Sequence, residues 1–208
     1  MPRPRVHDLD RLLDTAEQLV TQVGAANVTV RGLATAAGVP NGTIYHAFGS
    51  LGALLGHVWL RAANDFLALQ TELVDQAPTA VDAVVAAADT PAVFAEQRPD
   101  AARMLLTVDK DDLLGPQLPT AVADQLISLD KRVVSLLVRL AQLLWDRRDG
   151  AAVEVLTTCV VDLPTALYRR ALAAGPVDAL TRERLAAAVR AVLTVAPPTR
   201  PSRTTAKD

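Results

Sequence analysis

Apolar positions recur along most of this chain at three- and four-residue steps, the period of one face of an α-helix. Leu9, Leu12, Leu13, Ala16, Leu19, Val20 and Val23 form the first stripe, with Asp10, Asp14 and Glu17 between them. Gly24 is placed to end that helix, and Asn27 lies in the connection that follows. Thr29 can cap a second helix, running through Leu33 and Ala36 and stopping near Gly38. Pro40, Asn41 and Gly42 reopen the chain for a third, short helix through Thr43, Ile44, Tyr45 and Phe48. Gly49-Ser50 ends it, with Ser50 as the cap of a long fourth helix. The fourth stripe is Leu51, Leu54, Leu55, Val58, Trp59, Ala62, Phe66, Leu69 and Leu73, and Pro78 closes it.

Beyond Pro78 the segments lengthen. Thr79 to Gln97, Asp100 to Leu114, Thr120 to Arg148, Ala151 to Ala174 and Val177 to Val195 each read as helical. Pro91, Pro99, Gly115-Pro116, Pro119, Asp149-Gly150 and Gly175-Pro176 punctuate them, and Pro164 is expected to kink the segment that contains it. The pattern predicts an all-α protein: an N-terminal three-helix domain over residues 1–50, a connecting helix over 51–77, and a larger helical domain over 78–196. A Pro-, Thr- and Arg-rich tail over 197–208 is expected to be disordered.

Composition agrees with this reading and narrows it. Of 208 residues, 50% are apolar and 21% charged, which argues against a disordered chain, and the apolar share is mostly Ala, Val and Leu. A single cysteine, Cys159, excludes an internal disulfide framework. "MPRPRVHDLD" has no apolar leader-like core, and no run reaches about 18 uninterrupted apolar residues. The expectation is a cytoplasmic protein without a membrane segment. A net charge of -2 gives no whole-molecule attraction to nucleic acid, so any such binding must be local.

Catalytic patterns are missing: the chain has no glycine-rich phosphate loop, nucleophile elbow or spaced Cys and His set. "DKDDLL", Asp109 to Leu114, reads as a solvated surface, and His7, His46 and His57 are too dispersed to suggest a metal site. No enzyme activity, metal or cofactor is expected.

"TVRGLATAAGVPNGTIYHAF", Thr29 to Phe48, carries the most specific signal. A helix-turn-helix needs a small residue where its helices approach, a turn residue tolerant of positive φ, and apolar residues facing inward from both helices. Ala34, Gly38 and the set Leu33, Val39 and Ile44 meet those needs. With Ile44 and Phe48 turned inward, Asn41, Gly42, Thr43, Tyr45 and His46 are left on a polar outer face of the size the major groove admits.

From about Leu9 to Leu55, and most closely in "VTVRGLATAAGVPNGTIYHAFGSLGALL", the chain resembles the DNA-binding domain of the TetR (tetracycline repressor) family of bacterial transcription regulators. The resemblance implies a homodimeric, ligand-responsive regulator, in all expectation a repressor, with palindromic operator DNA and a small-molecule effector as partners. Position by position it implies DNA contacts from Arg31 on the second helix and from Asn41, Gly42, Thr43, Tyr45 and His46 on the third, with Thr29 at the edge of the site. Tyr45 is matched to a phosphate contact; Asn41, Thr43 and His46 are better placed for bases. Leu51 and Gly52 stand where the family usually has a lysine and an acidic residue, and Ala47 where it often has histidine. Between Gly24 and Leu60 the only full charge is Arg31, so the salt dependence of DNA binding is expected to be shallow, with Arg3 and Arg5 as a supplementary arm. The alternative is a helical small-molecule binding protein with a weakened DNA-binding domain.

In the larger domain, Phe94, Met104, Trp145, Cys159 and Asp162 are the candidate ligand-pocket residues, with Asp162 notable as a carboxylate inside an apolar run. A small, mostly apolar effector is expected. Leu156, Val160, Leu163 and Leu167 on one helix, and Leu185, Val189 and Val192 on the next, are the candidate dimer stripe.

Overall fold

The computed structural model describes residues 6–108 and 119–198. The "DKDDLL" run, Arg3 and Arg5 lie outside them, as do residues 199–208 of the expected tail. Among the described residues there are nine α-helices, one 3-10 turn (Ala25–Asn27) and no strand: α1 (Val6–Val23), α2 (Val30–Ala37), α3 (Asn41–Phe48), α4 (Leu51–Gln76), α5 (Ala80–Gln97), α6 (Pro99–Thr107), α7 (Thr120–Trp145), α8 (Gly150–Ala174) and α9 (Ala179–Leu193).

Local chemistry sets most of the boundaries. At the end of α1, Gly24 takes a φ of 81° and the Asn27 side chain donates to the Val23 carbonyl at 2.7 Å. Hydroxyl or carboxylate side chains cap five helix starts, among them that of α8, where an Asp149 carboxylate oxygen accepts from Ala152 N–H at 3.3 Å. Thr29 Oγ1 accepts from Gly32 N–H at 3.0 Å, Ser50 Oγ from Ala53 at 3.0 Å, Thr79 Oγ1 from Asp82 at 3.1 Å, and an Asp178 carboxylate oxygen from Thr181 at 2.9 Å. The end of α7 falls short of Arg148 because Asp146 enters the left-handed region, φ 52°. Pro197 and Pro198, the first residues of the expected tail, accept hydrogen bonds from the Arg147 guanidinium at 3.0 and 2.9 Å.

Two internal prolines are accommodated in different ways. Pro164 lies just after a π-turn, Thr158–Asp162, in which the chain carries one extra residue and Leu163 N–H reaches back to Thr158 O. The widened turn makes room for a ring that would otherwise press on the preceding carbonyls. Pro91, by contrast, interrupts nothing: α5 runs through it. Its missing N–H would have served the carbonyl of Ala87, and Gln70 Nε2 from α4 donates to that oxygen instead, at 2.9 Å. The expected break at Pro91 is therefore absent because a neighbouring helix supplies the lost donor.

The central element is α5, which packs against α4, α6, α7, α8 and α9, while α1 holds α2, α4 and α6. The buried side chains form one continuous core from Leu12, Leu33 and Ile44 through Leu54 and Val58 to Phe94, Met104, Leu140 and Tyr168. Among the described residues, α8 is the one helix long and apolar enough to cross a membrane by length and composition alone. Its 18-residue window has a mean hydropathy of 1.4, and 28% of it is buried in the protomer.

Candidate functional site

The turn between α2 and α3 is built from backbone geometry. Gly38 adopts φ 68° and ψ 31°, the left-handed conformation that glycine reaches without Cβ strain, and Val39 N–H then bonds back to Ala34 O at 3.0 Å. Leu33, Ala34 and Ile44 are buried, with Val39 and Phe48 half-buried behind them. That inward set leaves Arg31, Asn41, Gly42, Tyr45 and His46 exposed and Thr43 half-exposed, and Tyr45 is 55% accessible although large and aromatic.

The first turn of α3 is open. Pro40 precedes it and gives no side-chain cap; Thr43 N–H bonds to Pro40 O at 2.9 Å, and among the described residues no acceptor meets the Asn41 and Gly42 amides. Such free N–H groups at a positive helix end favour an anionic oxygen. A Cβ added at Gly42 would meet no atom within 4 Å, so nothing inside the protein requires glycine there. Thr29 is exposed, but its hydroxyl oxygen is engaged as the α2 cap.

The second feature is an apolar cavity of about 300 Å³ in the larger domain, bounded by α4, α5, α6, α7 and α8. Trp59, Phe66, Pro91, Leu106, Leu137 and Val160 give its lining character, and Gln70 is the one buried polar side chain in it. Asp130, Val161 and Thr165, all exposed, mark the side open to solvent.

Between the two features lies a charged joint. Glu17 of α1 is only 6% exposed, and its Oε2 accepts from Arg98 Nη2 at 2.8 Å and Arg61 Nη2 at 3.3 Å. Arg61 also reaches Asp14 at 2.8 Å, and Arg98 pairs with Asp65. Burial raises the Glu17 pKa above the usual glutamate value, and the two guanidinium charges oppose that rise. Near this joint Asp100 of α6 accepts from Thr21 of α1 at 3.3 Å.

Residues 12–58 match the family model described as "Bacterial regulatory proteins, tetR family". Over these residues the chain carries an N-terminal domain of the tetR family. No curated protein matches the chain in sequence. Solved structures carry the likeness further along the chain. A TetR-family transcriptional regulator from Streptomyces coelicolor is 21% identical with a TM-score of 0.66, over 90% of this chain and 95% of that one. The fatty acid degradation regulator FadR from Bacillus halodurans is 16% identical with a TM-score of 0.63, over 92% and 95%. The superantigen PfiT is 21% identical with a TM-score of 0.67, over 93% and 98%. The helices beyond the matched domain thus share the fold of these proteins.

The five residues expected at a ligand pocket sit elsewhere than the cavity wall. Phe94, Met104 and Cys159 are fully packed in the core, and burial pushes the Cys159 thiol up to about 11. Trp145 is half-buried and Asp162 exposed. Phe94 does stand behind the wall, edge-on to Phe66 with ring centroids 5.5 Å apart. Of the expected dimer stripe, Leu156, Val160, Leu185 and Val189 are buried within the protomer, while Leu163, Leu167 and Val192 are half-buried. Leu51, in the place of the family's usual lysine, packs against the core, and the His57 ring meets that of Phe48 at a tilt of 55°, centroids 5.5 Å apart.

Proposed function

We propose that the protein is a homodimeric, cytoplasmic transcriptional repressor whose grip on palindromic operator DNA is controlled by a small, mostly apolar ligand. One observation carries the proposal: α4 packs against α1 and α3 and also lines the cavity, through Trp59, Phe66 and Gln70. An occupant of the cavity therefore touches the helix on which the outward rod Asn41 to His46 is mounted. Asn41, Thr43 and His46 serve for base contacts, Tyr45, Arg31 and the free α3 amides for phosphates, with Thr29 fixing the start of α2. The dimer brings two such rods about 34 Å apart, one helical turn of DNA.

The mismatch between the apolar character of α8 and its shallow burial supports a second copy as its cover. Leu163, Leu167 and Val192 supply the accessible part of that face, joined by the exposed Ala166 and Ala187.

The test is a gel shift with DNA flanking the protein's own coding region, using wild type and Tyr45→Ala. Retention by wild type that weakens markedly in the variant supports the reading. Equal behaviour of the two proteins at every salt concentration defeats it.

A further inference from the structure

Gln70 presents an unusual combination in the cavity wall. It is 4% exposed, and its amide nitrogen is committed to the Ala87 carbonyl that Pro91 leaves without a helical partner. A carbonyl can only accept, so the amide orientation is fixed: nitrogen towards α5, oxygen away from it. Among the described residues no donor reaches Gln70 Oε1, and the side chain borders the cavity. An acceptor without a protein partner, on an otherwise buried residue in a wall of Trp59, Phe66, Leu67, Leu137 and Val160, favours an occupant that brings a donor.

Charge narrows the class further. No Lys, Arg or His is among the described residues of the wall, and the Asp130 carboxylate stands at its solvent side. An anionic ligand would lose its hydration without gaining a counter-charge and would meet Asp130 on the way in; a cation would find only one amide oxygen in the interior. We propose that the cavity takes an uncharged, predominantly apolar molecule bearing one hydrogen-bond donor, an alcohol, phenol or N–H, which it presents to Gln70 Oε1. The inference rests on the ligand-controlled reading above and specifies the ligand of that same cavity.

Three probes of matched shape test it by titration calorimetry on the full chain: 1-naphthol, its methyl ether and 1-naphthoate. The alcohol is expected to bind about tenfold more tightly than the ether, with the carboxylate weakest. Gln70→Leu alone would strand the Ala87 carbonyl, so the informative variant is the pair Gln70→Leu with Pro91→Ala. There the alanine N–H restores the helical hydrogen bond, and relative to Pro91→Ala, which itself trims the Pro91 ring from the wall, the polar loss is the oxygen facing the cavity. The alcohol's advantage should persist in Pro91→Ala and vanish in the double variant. Equal binding of alcohol and ether by wild type, preference for the carboxylate, or no binding of any probe overturns the inference, and none of these results needs a variant to fold. Persistence of the preference in the folded double variant overturns it as well. If the preference is found but saturating 1-naphthol leaves the gel shift unchanged, the inference stands and ligand control of DNA binding falls.

Discussion

Gly38 and Gly42 lie four residues apart in the same motif, and the geometry assigns them opposite reasons for being glycine. Gly38 sits at φ 68° with no atom within 4 Å of a built Cβ, so the penalty for alanine is conformational alone. Holding an L-residue in the left-handed region costs about 1–2 kcal/mol, part of it offset because alanine also restricts the unfolded chain. Gly38→Ala should therefore lower stability by about 1 kcal/mol, and Gly38→Asn by less, since asparagine tolerates that region better. Gly42 has no positive φ, lies in the first turn of α3 and has open space around it. Gly42→Ala should leave the free protein unchanged or stabilise it by about 0.5 kcal/mol through helix propensity. On DNA the result inverts. A methyl group placed where the α3 backbone meets the sugar–phosphate chain pushes the surfaces apart and forfeits a hydrogen bond worth about 0.5–1.5 kcal/mol in each half-site. Across a dimer this means roughly tenfold weaker binding. Urea unfolding measures the first quantity and fluorescence anisotropy with labelled operator DNA the second. Wild-type affinity in a Gly42→Ala protein of equal or greater stability would refute the placement of the α3 first turn against DNA.

Other expectations concern the joint and the core. Arg98→Ala removes the 2.8 Å partner of buried Glu17. Because Arg98 is itself partly exposed and Arg61 stays at 3.3 Å, the cost should be about 1–2 kcal/mol rather than that of a fully buried pair; an unchanged urea midpoint would show that the pair contributes nothing. The pH dependence has two signs. Asp149, Asp82 and Asp178 are held below the usual carboxylate range, chiefly by side-chain hydrogen bonds from Arg147, Thr79 and Thr181 respectively. Their stabilisation is present above the unfolded value near 4 and is lost as pH falls. Glu17 is raised by burial, so its contribution is present below its unfolded value and is lost as pH rises through the folded one. Relative to wild type, Glu17→Gln should gain stability as the pH rises above the unfolded glutamate value of about 4, and a flat or falling difference in melting temperature would contradict that sign. Cys159, fully buried with its pKa near 11, should react with a thiol reagent at about pH 8 no faster than the protein unfolds; rapid labelling of the native protein would place the thiol at the surface.

The helices were legible because each has a signal confined to itself. The stripe of α1, the Gly38 turn and the caps Thr29 and Ser50 depend on residues a few positions apart. The cavity depends on helices that meet only in three dimensions: Phe94 and Met104 pack in the core, while Trp59 and Phe66 of α4 line the wall. Gln70 left one readable trace, the proline inside the α5 pattern. Pro91 orphans a carbonyl, which in a buried helix must find a donor, but which residue supplies it follows only from the crossing of α4 over α5. The dimer stripe shows the same limit from the other side. Periodicity identifies an apolar face without saying what covers it, and Leu156, Leu185 and Val189 are covered by their own protomer.

The arrangement of α6 bears most directly on how the proposed control would operate. This short helix places Leu105 and Leu106 on the cavity wall, while at its start Arg98 grips Glu17 and Asp100 holds Thr21, both on α1. The helix-turn-helix unit, α1 to α3, is thus fastened at two places whose other ends border the cavity, α4 and α6, and its core is continuous with that of the remaining helices. Coupling of about 1–3 kcal/mol suffices for a ligand switch of this kind. A joint worth about 1–2 kcal/mol is of that size, so a ligand that merely shifts α6 enough to lengthen the Arg98–Glu17 contact carries the required free energy without unfolding any helix. It follows that Arg98→Ala should weaken the ligand's influence on operator affinity even where it leaves the ligand's own binding to the cavity intact. An undiminished ligand effect in that variant would move the coupling from α6 to α4 alone.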